Sequence, residues 1–207
     1  MIGIIDVGVG NIVSVKNWLD RCIASWEIVN NTKNLNSYSL IILPGVGSAK
    51  LFALNLKKYG LFEELKKANE RGQRILGICL GAQIFMDYLE EDGGVEGLGF
   101  IKGKVVKLNL KESNTCWVPF SFNKNNLSKD WLKKSETTSR KTKLSGRVFY
   151  NHNYGITTID NSAFYQKIEL DSLSSFSSII HKKNIVGFQF HPEKSQKLGE
   201  ELFKIIL

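Results

Sequence analysis

The chain is poor in the residues that mark secreted, metal-bound or membrane proteins. Its 207 residues include three cysteines, Cys22, Cys79 and Cys116. An odd number, so widely spaced, makes neither a disulfide framework nor a CxxC metal site, and points to a reducing cytoplasm. No apolar run reaches the ~18 residues that suggest a membrane span. The chain starts on a strand pattern with no basic leader, so no secretory signal is expected. Gly8-Val9-Gly10 lacks the third glycine of a dinucleotide fingerprint, which argues against NAD. No metal or organic cofactor is indicated. Only three histidines are present, so the choice of a general base is narrow.

What is present is an ordinary globular composition, 43% hydrophobic and 23% charged. It suits one α/β domain over 1–207 with a sizeable core. The net charge of +8 is concentrated in one segment. Residues 102–143 hold 11 basic and 3 acidic groups, whereas 1–101 hold 10 and 11 and 144–207 hold 7 and 6. That segment reads as a solvated lysine-rich insertion or as a docking face for a protein partner. Trp117, Phe120, Phe122 and Trp131 fall within it, but no nucleic-acid-binding motif accompanies them, so no nucleic acid is expected. The stretch with Trp131-Leu-Lys-Lys and Thr137 to Lys143 is polar enough for a mobile loop.

The central motif is Gly77-Ile78-Cys79-Leu80-Gly81. An apolar run (Ile75, Leu76, Ile78) precedes it like a buried strand, and an amphipathic helical pattern follows from about Leu80 to Glu91. This is the thiol form of a nucleophile elbow, a sharp strand-to-helix turn that lifts one reactive side chain above a sheet. The flanking glycines leave room for the turn, and the N–H groups of the following helix favour a thiolate and can hold an oxyanion. A thiolate needs a base. His191 follows the apolar run Ile185-Val-Gly-Phe-Gln-Phe190 and sits two residues before Glu193, the arrangement of a triad with Cys as nucleophile. His181 reads as a solvated hairpin tip, and His152 could line a pocket but has no carboxylate close in sequence.

Other elements read in order. Strands are expected over 2–6, 27–30 and 40–43, from about Lys104, and as a pair at 176–180 and 185–190. Helices are expected over 14–22, 48–58, 61–71 and 196–207, the last with Leu198, Leu202, Ile205 and Ile206 available for packing. After Leu40-Ile-Ile-Leu43 comes Pro44-Gly45-Val46-Gly47, in which two glycines permit a peptide flip and can present an N–H to developing negative charge.

Taken in order, Pro-Gly-Val-Gly, Gly-x-Cys-x-Gly-x-Gln and His-Pro-Glu resemble the class I (triad) glutamine amidotransferases. Within them, the chain is most similar to the glutaminase subunits of the histidine-pathway imidazole glycerol phosphate synthases. The resemblance spans nearly the whole chain and implies an open, mostly parallel, flavodoxin-like α/β sheet flanked by helices. It implies Cys79, His191 and Glu193 as the catalytic residues. Oxyanion and glutamine contacts would come from Gly45, Val46, Gly47, Leu80, Gln83 and the segment His152-Asn153-Tyr154, where the family has His-Ser-Tyr. Asn11, in Asp6-Val-Gly8-Val-Gly10-Asn11, and Lys194 would lie at the mouth facing a partner. That partner is a (β/α)8-barrel synthase receiving ammonia through a protected channel, in a cytoplasmic heterodimer. Besides Asn153, three places depart from the pattern: Val7 replaces an aromatic, Ser48-Ala49 replace a small residue and Phe, and Val118 to Asn123 lacks the Pro-His-x-Gly-Trp-Asn segment. The last leaves the partner open, and a paralogue amidating a bacterial surface sugar is the alternative. A thiol peptidase or deglycase on a related fold fits the His-Pro-Glu less well, and a binding module has no reason to hold all three residues.

Overall fold

The computed structural model describes residues 1–31, 35–109, 115–127, 131, 143–169 and 175–206. Short apolar runs build its main sheet. Strands β1 (Ile2–Ile5), β2 (Trp26–Val29), β3 (Leu40–Gly45), β4 (Ile75–Cys79) and β13 (Ile185–Phe188) are mutually parallel in the order β13-β4-β3-β1-β2. β12 (Ser175–Lys182) and β11 (Phe164–Glu169) extend it antiparallel beyond β13. The inner strands β3 and β4 are buried along their whole length, as a sheet covered on both faces requires.

Alternation sends their side chains into two cores. Ile5, Ile41, Leu43 and Ile75 meet Phe52, Leu56, Phe62 and Leu65 of α2 (Ala49–Lys58) and α3 (Leu61–Glu70). Ile4, Ile42, Leu76 and Ile78 meet Val15, Trp18, Leu202 and Phe203 of α1 (Ile12–Arg21) and α5 (Gln196–Ile206). Each such buried side chain contributes roughly 1.5–3 kcal/mol. Leu198, Leu202, Ile205 and Ile206 all enter the core. The sheet is therefore open, mostly parallel and flanked by helices.

A second sheet, in the order β10-β7-β5-β6, lies on the α2–α3 side. It comprises β5 (Tyr88–Leu89), β6 (Val95–Glu96), β7 (Gly103–Lys107) and β10 (Tyr154–Thr158). A two-stranded ribbon of β8 (Thr115–Asn123) and β9 (Lys143–Asn151) packs Phe120, Phe122, Val148 and Tyr150 on the opposite core.

Three sequence expectations change here. The helix after the elbow is one turn, α4 (Leu80–Gln83), and does not run to Glu91. The carbonyls that would continue it are taken: Leu98 N–H donates to Ile84 O, Gly99 N–H to Met86 O, and both Phe100 and Ile101 N–H to Phe85 O. His181 is not a solvated hairpin tip. It is buried, with Nδ1 3.0 Å from Ile185 O, beneath Trp131, whose indole N–H donates to Lys183 O. The basic segment is not simply a solvated insertion either, since β7 and β8 lie in it and Trp131 is fully buried. The mobile loop expected at 132–142 lies outside the described residues.

Candidate active site

Cys79 ends β4 with φ 52° and ψ −109°, a left-handed conformation that costs a non-glycine residue on the order of 1–3 kcal/mol. Two glycines make this turn possible. A Cβ on Gly77 would fall 2.4 Å from Gly81 O, and one on Gly81 would fall 1.8 Å from Leu43 O. The turn is thus pressed against the sheet from both sides, which leaves the Cys79 side chain nowhere to go but up from the strand end.

Parallel pairing sets Gly45 directly across from Cys79. A Cβ on Gly45 would meet Gly81 N at 2.7 Å, so the glycine-rich loop reaches the elbow only because it carries no side chain there. Gly47 follows with φ 91°. The first turn abuts the same loop, Gly10 lying against Pro44 O. In that turn Asn11 accepts from Ser14 N–H and caps α1, while Val7 is buried and its carbonyl is held by Asn55.

His191 and Glu193 reach the site from the chain that leaves β13. His191 N–H donates to Phe149 O at 2.8 Å, an isolated bridge to β9. Ser195 closes the turn: its hydroxyl donates to His191 O at 2.6 Å and accepts from Phe149 N–H at 3.2 Å. His191 Nδ1 lies 2.7 Å from Glu193 Oε1, and both side chains are buried. Burial opposes the imidazolium, yet the neighbouring Cys79 side chain and then Glu193 outweigh it and hold the His191 pKa well above its ordinary value.

In front of Cys79 lies a cavity of about 270 Å³ lined by Val46, Gly47, Leu80, Gln83, Glu91, Asn151, His152, Asn153 and Tyr154. His191 and Glu193 are not among its lining residues. Gln83 Nε2 donates to Tyr154 O at 2.8 Å. His152 is a poor second base: burial first, and the His191 charge second, push its pKa down to about 3 despite its bond to the Tyr154 backbone. Its ring packs edge-on against Phe176 and Tyr150. A wider groove of about 650 Å³ between β9 and the start of α5 holds neither cysteine nor histidine. Lys194 is outside the cavity, with Nζ 5.2 Å from the centre of the Phe149 ring.

Three residues at or behind the cavity were not singled out from sequence. Glu91 lines the cavity, its carboxyl raised by burial and then by the charge of Asp92. It was concealed because the elbow helix was expected to run through it. Ser195 gave no signal. Gln189 did give one, as the only polar residue in Ile185-Val-Gly-Phe-Gln-Phe190.

Comparison with known proteins gives the family and the fold. The model of the glutamine amidotransferase class-I family matches residues 4–205. The imidazole glycerol phosphate synthase subunit HisH 2 of Methanococcus maripaludis is 36% identical over 211 residues, covering 99% of this chain and 97% of its own. The HisH subunit of a Geobacillus species is 35% identical, covering 99% and 94%. A crystal structure of a glutamine amidotransferase matches the fold with a TM-score of 0.74 at 14% identity, over 98% of this chain and 96% of its own.

Proposed function

The chain belongs to the class I glutamine amidotransferases, a glutamine-hydrolysing family, and we propose that it is a glutaminase subunit that supplies ammonia to a separate synthase. The observation that carries this reading is Cys79, held at φ 52° beside the buried His191–Glu193 pair and facing the 270 Å³ cavity.

The Cys79 thiolate attacks the side-chain carbonyl carbon of glutamine and forms a C–S bond. The oxyanion is met by backbone N–H groups at Leu80 and in the Gly45-Val46-Gly47 loop, where one such donor is worth about 3–4 kcal/mol. His191, protonated when the thiolate attacks and held through Nδ1 by Glu193, gives its proton to the departing nitrogen, and ammonia leaves. The neutral imidazole then takes a proton from water, which attacks the thioester, breaks the C–S bond and releases glutamate. Glu193 holds the ring through Nδ1 in both steps. Gln83, Asn153 and Tyr154 hold the ligand head, and the Glu91 carboxylate suits the α-ammonium of a free amino acid. His152, neutral at working pH, shapes the cavity wall.

Ammonia in water at neutral pH is largely protonated and unreactive, so the chemistry calls for a coupled acceptor. The similarity to HisH subunits supports a (β/α)8-barrel synthase of histidine biosynthesis as partner, docked at the mouth near Asn11 and Lys194. One observation favours a second acceptor, a bacterial surface-sugar precursor. Val118–Asn123 is a plain ribbon strand without the histidine, glycine and tryptophan that the histidine-pathway subunits carry there. Glutamate release should be slow for the chain alone. It should rise at least about tenfold with the histidine-pathway barrel and its ribonucleotide substrate, through a coupling of 1–3 kcal/mol. Stimulation by a surface-sugar barrel alone would transfer the pathway, and no hydrolysis with either would reject the glutaminase assignment.

A further inference from the structure

Gln189 follows β13 and is fully buried, yet one of its two polar ends is left unserved. Its Oε1 accepts from Ile156 N–H at 3.2 Å and from Gln83 Nε2 at 3.4 Å. Its Nε2 finds no acceptor among the described residues. Its oxygen satisfies a buried backbone donor, while the unserved nitrogen carries a desolvation cost.

We propose that Gln189 is a positioning residue that fixes which end of the Gln83 amide faces the cavity; this rests on the reading of that cavity as the glutamine site. The argument is one of hydrogen-bond polarity. An amide side chain can turn over, exchanging oxygen for nitrogen at little cost in shape. Ile156 N–H can only donate, so the atom of Gln189 that meets it must be the oxygen. The same oxygen faces Gln83 and so requires nitrogen there. Tyr154 O, which can only accept, imposes the same choice from the other side at 2.8 Å. Tyr154 and Ile156 are alternate residues of β10, the edge strand of the second sheet. The two glutamine side chains occupy its free edge where a further strand would otherwise pair. Gln189 is itself anchored by its N–H to Ser178 O at 2.9 Å. No hydrogen bond among the described residues engages the Gln83 side-chain Oε1, and Gln83 lines the cavity. That oxygen is therefore presented to the ligand as an acceptor, and the cavity selects a hydrogen-bond donor at that point. With an apolar residue at 189, Tyr154 O alone would hold the amide, and the turned-over form would become populated.

Alkylation of Cys79 tests this without a partner subunit. The rate of modification by the glutamine analogue 6-diazo-5-oxo-L-norleucine is compared with that by iodoacetamide, which needs no glutamine recognition. Gln189→Met should slow the analogue about tenfold at sub-saturating concentration, equal to about 1.4 kcal/mol. It should leave iodoacetamide within about twofold, because both reagents meet the same thiol and only one meets Gln83. Gln189→Glu keeps an acceptor toward Ile156 N–H and Gln83, and should restore most of the analogue rate. On a Gln83→Met background, Gln189→Met should cause no further slowing, since Gln189 acts only through Gln83. Slowing that multiplies on that background, or a Gln189→Met chain that reacts like wild type, would overturn the proposal. Gln189→Leu serves the same comparison if the Met variant does not fold. A wild-type chain that fails to favour the L-analogue over its D-enantiomer would instead reject the glutamine site itself.

Discussion

β4 ends at the active site and β8 starts beside it, Thr115 pairing with Asn151 of the cavity wall, but they are built under different constraints. β4 is buried at all five positions, pressed between two helical layers, and it ends in a turn where three glycines touch backbone. β8 alternates exposed and buried positions from Pro119 to Asn123, is half-buried from Cys116 to Val118, and among the described residues pairs with β9 alone. In the first, every atom added meets something fixed. In the second, half the side chains face away from the core, and substitutions there change the surface offered to a partner more than the fold. The departures from the family pattern at Val118 to Asn123 fall in the tolerant strand, and the elbow keeps its Gly-x-Cys-x-Gly in the intolerant one.

Glycine substitutions probe this difference most directly. Gly81→Ala would set a methyl carbon 1.8 Å from Leu43 O, which the sheet cannot relieve without moving the elbow. The expected loss is about 3 kcal/mol or more, seen as a collapse of the denaturation midpoint together with loss of Cys79 reactivity. Retention of either would show that the elbow is more compliant than its packing implies.

His152 offers an intermediate test, through pH. Its folded pKa is depressed to about 3 by burial, against 6.5 for the free side chain. Below about pH 6.5 the unfolded chain binds a proton that the folded chain refuses, so stability falls as pH drops toward 3. Above that window His152 contributes no pH dependence. The slope is about 1.4 kcal/mol per pH unit for one proton. His152→Gln should remove that slope from urea-unfolding free energies measured between pH 6 and 4. An unchanged slope would show that His152 is protonated within the fold.

The smallest effect is expected in the ribbon. A Cβ on Gly146 would meet only the tip of Leu198, at 3.2 Å, a flexible side chain that can give way. Gly146→Ala should change stability by less than about 1 kcal/mol and leave Cys79 alkylation unaltered. A loss as large as that of Gly81→Ala would erase the distinction between the elbow and the ribbon.

Legibility in the sequence followed the same division. The parallel strands, the helices over 48–58 and 61–71, and the C-terminal helix could be read because burial on one or two faces forces a periodic pattern. Cys79, His191 and Glu193 could be read because a strained turn and an H-x-E leave short local signatures. The one-turn α4 could not, because Leu80 to Glu91 has helical periodicity and only the distant segment 97–101 captures its carbonyls. Glu91 was missed for that reason. The burial of His181 depends on Trp131, fifty residues away and in a stretch whose composition is that of a loop.

The sequence by itself marked the parallel core strands, most of the helices, the candidate nucleophile and base, and the glycines without which the elbow cannot close. These depend on period, on backbone sterics and on residues close in the chain. Tertiary structure decided the direction in which amides point, which carboxylate enters the cavity and where a helix stops. Each of those is settled by a hydrogen-bond partner far away in sequence, and no local pattern records which partner will arrive.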